Sequence, residues 1–146
     1  MNYFVLAVIC FAGIGEDSGF GLFRAYDQHA DGRVEKVLGK LTLDKPVDQT
    51  KVVYLDEKPI LNSDDVLSAT GKIENGQAVI DITFKRKSGK VLYEATEGLI
   101  GNRLAVVLDG NVLVAPVVRA PIGKDVRLTG NFDKVLVDLL LKRLNR

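Results

Sequence analysis

An α+β fold, mostly antiparallel sheet built from hairpins with two or three helices packed on it, is predicted by three observations in the 146-residue sequence. Two turn pairs, Asn75-Gly76 and Asp109-Gly110, stand between β-favouring runs, the strongest short-range signal of a hairpin. Ala78, Ile80, Ile82 and Phe84 alternate with Val79, Asp81, Thr83 and Lys85, an apolar face against a mainly polar one, the period of a half-buried strand. Two later stretches carry apolar residues at helical spacing. Composition agrees with one compact domain: 47% of residues are hydrophobic and 27% charged, and 14 Gly with 4 Pro are too few for a low-complexity chain.

The elements follow in chain order. Tyr3 to Ile14 are apolar or glycine, and no charge precedes Glu16. As a helix this run reaches about 18 Å, against a membrane hydrocarbon core of about 30 Å, so it is too short to span comfortably. Residues 1–15 read as an export signal, with Gly13 and Gly15 ahead of a cleavage point before Glu16, although no Lys or Arg leads the run. A buried strand over Phe4 to Phe11 is the alternative, which periodicity does not separate from a signal. Ile9 is not the small residue that precedes a lipidated cysteine, so Cys10 is not read as a lipid anchor. The expected location is extracytoplasmic, in the periplasm or cell envelope, for a chain with no transmembrane span of its own.

Residues 16–50 are polar and turn-rich (Asp31-Gly32, Gly39, Pro46) and are read as a poorly defined extension ahead of a domain over 51–146. Lys51 to Leu55 favours a strand. Asn62 or Ser63 caps a brief helix over Asp64 to Ala69, which places Asp64 and Asp65 in the first turn, where the helix dipole favours acids. After the Asn-Gly turn, Ala78, Ile80, Ile82 and Phe84 face the core. A helix begins at Ser88, buries Val91, Leu92, Ala95 and Leu99, and stops at Gly101. Lys85, Arg86, Lys87 and Lys90 read as a solvated turn. Leu104 to Leu108 and Val112 to Val118 form the second hairpin, apolar on both faces, which demands cover on both sides or a partner. Pro116 and Pro121 place its end at a sheet edge or bulge. Val126 to Thr129 adds a strand, and Asn131 caps a terminal helix with Phe132, Val135, Leu136, Leu139, Leu140 and Leu144 along one stripe.

The chemistry is bounded by what the sequence lacks. A net charge of +1 gives no whole-molecule field to gather nucleic acid. Cys10 and His29 are the sole residues of their types, too few for an internal disulfide or a four-ligand zinc site, and no acidic calcium loop is present. Nucleophile-elbow, phosphate-loop and dinucleotide-fingerprint patterns are missing. His29 has no patterned nucleophile or orienting partner, and the acids at 64 and 65 are explained by capping. No enzyme activity, metal or cofactor is expected.

The most specific stretch is Gly101-Asn102-Arg103-Leu104-Ala105-Val106-Val107-Leu108-Asp109-Gly110-Asn111-Val112-Leu113-Val114-Ala115-Pro116-Val117-Val118. It resembles the signature of the head subdomain in the first periplasmic domain of the SecD and SecDF protein-export family. Tyr93 and Thr96 match the family's aromatic and threonine on the preceding helix, Ile122 its later apolar position, and Thr129-Gly130-Asn131-Phe132 its closing segment. Pro59 to Val66 is similar to the stretch before the family's first helix, so the resemblance spans roughly Val52 to Leu144. It departs from the family in carrying no multiple membrane helices, so proton-driven motion is not carried over. What the resemblance implies is a non-enzymatic envelope domain that contacts exported or unfolded polypeptide, or a membrane translocation component. Strand addition beside apolar side chains is the physical route, with Val112, Val114, Pro116, Val117 and Val118 as contact residues. The alternative is a secreted scaffold whose apolar hairpin docks on one folded membrane partner.

Overall fold

The computed structural model describes residues 19–37, 52–130 and 132–145. The proposed signal over 1–15, the alternative strand over Phe4 to Phe11, and Asn131 as a cap lie outside these residues. Among the described residues nine strands and two helices form two antiparallel sheets with helices packed on them, the α+β arrangement expected from the hairpin signals.

The first sheet runs in the order β2 (Arg33–Val37), β3 (Val52–Asp56), β1 (Phe20–Tyr26), β7 (Arg103–Leu108), β8 (Asn111–Val114), with the short β4 (Leu61–Asn62) also paired to β1. The second runs β5 (Val66–Glu74), β6 (Gln77–Phe84), β9 (Asp125–Gly130). Both turn pairs close hairpins as expected, with Asn75 and Asp109 at φ 53° and 49° and Gly76 and Gly110 at φ 79° and 83°. Two consecutive left-handed residues are what a two-residue hairpin loop of this hand requires.

Three local expectations change. No element is assigned from sequence between residues 16 and 50, yet β1 sits at the middle of the first sheet, paired to β7 from Phe20↔Leu108 to Ala25↔Arg103. Its FGLFRAY sequence has no clean period because both faces are packed. The helix over Asp64 to Ala69 is a single 3-10 turn, Ser63–Asp65, followed directly by β5. Pairing with β6 over the whole of β5 overrides the weak local helix preference of that stretch. The cap itself is as expected: Asp64 N donates to Asn62 Oδ1 at 2.8 Å, and Asn62 N donates to Asp65 Oδ2 at 2.9 Å. Helix α1 spans Arg86–Glu97 and ends at Gly98 rather than Gly101, so Arg86, Lys87 and Lys90 lie within the helix and Val91 is exposed. Helix α2, Lys134–Leu144, is capped by Asp133, whose carboxylate accepts from Leu136 N at 2.8 Å.

The main core lies between the sheets and under both helices. Phe20, Leu22, Val106 and Leu108 come from one sheet, Ile80, Ile82 and Phe84 from the other, Leu92 from α1, and Leu136, Leu140 and Leu144 from α2. The rings of Phe20 and Phe84 stack across the gap at 6.3 Å. A second cluster, Ala25, Val53, Leu55, Ala105, Val107, Val112 and Ala115, occupies the opposite face of the first sheet. That sheet curls until its two outer strands, β2 and β8, come into contact. The inside of the curl is lined by small side chains because little room remains there. At Gly21 a Cβ would lie 2.7 Å from the Phe23 ring, which folds back over it. Both faces of the second hairpin are thus covered, one by the main core and one by the curl.

Candidate functional site

The stretch Gly101 to Val118 forms the turn after α1, the β7–β8 hairpin and the start of a loop that reaches Lys124. Beyond β8 the chain stays paired to the segment ahead of β7. Leu104 N donates to Pro116 O at 3.0 Å, Val118 N to Asn102 O at 2.8 Å and Gly101 N to Val118 O at 2.9 Å. Gly101 makes the reversal possible at φ 91°, where a side chain would be strained. Arg103 holds the strand ends together, with Nε 2.7 Å from Asp27 Oδ1 and Nη1 donating to Ala115 O at 2.8 Å.

From Val118 the loop is strapped along α1. Thr96 is fully buried; its Oγ1 donates to Leu92 O at 2.7 Å and accepts from Ile122 N at 2.8 Å. About two turns earlier on the same face, Gly89 leaves space for the Lys124 backbone, and Phe84 N donates to Lys124 O at 2.8 Å. Ser88 Oγ donates to Asp65 Oδ1 at 2.7 Å and pins the start of α1 to the capped turn. The threonine and the later apolar residue singled out by the resemblance therefore meet in one hydrogen bond.

The five contact residues expected from sequence are not all placed alike. Val112 and Val118 are 1% and 3% exposed and belong to the interior, while Val114 is half-buried against the main core. Val112 points into the curl and Leu113 into the main core, and a bulge in the β7–β8 ladder turns Val114 toward the main core as well; both spaces are filled. Pro116 and Val117 stand in solvent, Val117 at 38% exposure. Beside the Gly101–Val118 pairing, Ile100 is 50% exposed, and Tyr93 shows 47% of its surface on α1. Ile100 was not legible as a surface residue, since it follows Leu99 in what sequence reads as one apolar helix end.

The groups considered for chemistry do not converge. His29 is exposed and sits edge-on to Tyr54, with ring centroids 5.6 Å apart on the first sheet. On the outer face of the second sheet an open hollow of about 340 Å³ is lined by Asp81, Thr83, Asp125 and Arg127 among others. Its charges are paired with one another: Arg127 Nε and Nη2 donate to the two Asp81 oxygens at 2.7 and 3.1 Å, and Thr83 Oγ1 donates to Asp125 at 3.1 Å. The hydrogen bond from Arg127, ahead of its charge, holds the Asp81 carboxyl below the usual carboxylate range and raises the guanidinium in turn. Among the described residues no group of three His, Cys, Asp or Glu is arranged to hold a metal ion, and no helix is long and apolar enough to cross a membrane.

Comparison with known proteins adds to this geometry. The family model described as SecDF, P1 head subdomain, matches residues 39–142. The protein translocase subunit SecD of Aquifex aeolicus is 33% identical over 98 residues, covering 64% of this chain and 20% of that protein. The subunit SecD of Endomicrobium trichonymphae is 44% identical over 73 residues, 46% of this chain and 15% of the relative. A crystal structure of SecDF in its super-membrane-facing form matches in fold with a TM-score of 0.64 at 22% identity, over 92% of this chain and 19% of the other. The chain spans about a fifth of the length of the first of these curated relatives.

Proposed function

Because the chain belongs to the SecDF P1 head subdomain family, we propose that it is an extracytoplasmic, non-enzymatic module of protein translocation that contacts exported or unfolded polypeptide. The relatives at similar identity are named protein translocase subunits. The observation that carries the reading is the exposure of Pro116, Val117 and Ile100 at the two ends of the family's own motif, on backbone pinned by the hydrogen bonds that pair residues 101–104 with 116–118. Rigid, solvent-facing apolar groups lose little freedom on binding and suit the apolar side chains that only an unfolded chain presents. The buried Val112 and Val118 serve by packing, and contact falls to Pro116 and Val117 with their neighbours.

The test is a titration of the full chain with reduced, carboxymethylated α-lactalbumin and with the folded, disulfide-intact form. The unfolded form is expected to bind more tightly, and Val117→Asp to weaken that binding about tenfold by placing a charge in an apolar contact. Equal affinity for both forms overturns the reading. Recovery of one stoichiometric folded membrane protein on co-purification, without client binding, favours the scaffold instead.

A further inference from the structure

Apart from the two-residue β4, the described residues present four outer strands, β2, β8, β5 and β9, and the first three are screened. β2 and β8 turn onto each other as the first sheet curls. β5 is covered by α2 and by a side chain acting as a strand: Asn145 Oδ1 accepts from Ala69 N at 3.1 Å and Asn145 Nδ2 donates to Ala69 O at 2.9 Å. Its ladder is further broken by a bulge between Val66 and Ser68. β9 differs. Its pairing to β6 runs through six residue pairs from Thr83↔Asp125 to Ala78↔Gly130 with no shift, it contains no proline, and among the described residues no strand pairs with its other side.

The direction of its free groups follows from one bond. Phe84 N donates to Lys124 O, and antiparallel alternation then turns the backbone of Val126 and Leu128 toward β6 and that of Asp125, Arg127 and Thr129 outward. An unprotected row of this kind is a template for another extended backbone. We propose that the outer edge of β9 takes an extended polypeptide segment by strand addition, with alternate apolar side chains laid beside Val126 and Leu128 at the border of the main core. This rests on the polypeptide-contact reading above and moves its backbone recognition from β8 to β9. A second copy paired antiparallel and centred on Arg127 would set that residue opposite its own counterpart, like charges facing across the pair, whereas a client strand carries no such constraint.

The experiment is amide hydrogen exchange on the full chain with and without reduced, carboxymethylated α-lactalbumin, together with Thr129→Pro, which removes an outward N–H and leaves the β6 ladder intact. Client is expected to slow exchange at Arg127 and Thr129 selectively, and the proline variant to bind about tenfold more weakly. Should that variant fail to fold, exchange in the unaltered chain decides alone. Client that binds while Arg127 and Thr129 stay unprotected overturns the β9 site and leaves the polypeptide reading standing; no binding at all overturns both. Protection that rises with protein concentration in the absence of client, with a dimer in sedimentation, overturns the proposal in favour of self-association.

Discussion

Thr96 shows how much one hydroxyl can settle. Its donated bond to Leu92 O satisfies a helix carbonyl a second time, and its accepted bond from Ile122 N is what fastens the loop to α1. Thr96→Val keeps the shape and leaves the Ile122 N–H buried without a partner, an expected loss of about 1–3 kcal/mol in urea unfolding. Thr96→Ser retains the bond and is expected to recover most of that loss; equal destabilisation by both would assign the effect to the methyl group. The threonine and Ile122 were legible only through the family resemblance, since nothing in their spacing reveals that they touch. Asn62 and the acids at 64 and 65 were legible from local chemistry, because a cap involves residues two or three apart. Asn145 was not, because a side chain that copies a peptide group for a strand 76 positions away leaves no local pattern.

Among the elements, those fixed by short-range signals were readable: both two-residue hairpins, the alternation of β6 and the part of the α2 stripe made by Leu136, Leu140 and Leu144, whereas Val135 and Leu139, expected in that stripe, are exposed at 76% and 36% because Val137 takes the inward position instead. β1 was missed for a physical reason. A strand packed on both faces loses its period, and FGLFRAY reads as neither strand nor helix until β3, β4 and β7 supply its neighbours. The expected strand-addition route through β8 met the same limit, since Val112 is buried by the curl and Val118 by the main core, neither of which any stretch of the hairpin encodes alone. The fit of helix to loop is open to test at Gly89, where a Cβ would collide with the Lys124 side chain and lie 2.9 Å from its Cα. Alanine gains about 1 kcal/mol over glycine within a helix, yet overpacking against backbone costs about 1–3 kcal/mol, so Gly89→Ala is expected to lower stability. A rise in melting temperature would show that the loop shifts freely.

For the molecule as a whole, the two sheets are held as one unit by side chains from both. Phe84 of the second sheet is fully buried against Phe20 of the first, with Leu92 and Leu140 in the same cluster. Phe84→Ala is expected to cost about 3–5 kcal/mol and to move the unfolding of both sheets together. Two separate transitions, followed by hydrogen exchange in β1 and β6, would instead mean that the sheets melt independently. The fold class was visible at this scale from the start, while the division into two sheets was not, because sequence names strands without naming their partners.

The place of β1 also dictates an order of assembly. Its partners β3 and β4 lie far downstream and its longest seam, to β7, joins segments about eighty residues apart. The β5–β6 hairpin closes across two residues at slight entropic cost, whereas seating β1 requires a large ring of chain to close first. The earliest of the described strands to leave a ribosome or a channel is therefore among the last of them to find its place, and until then Phe20 and Leu22 remain in water, waiting for a strand about eighty residues downstream to arrive.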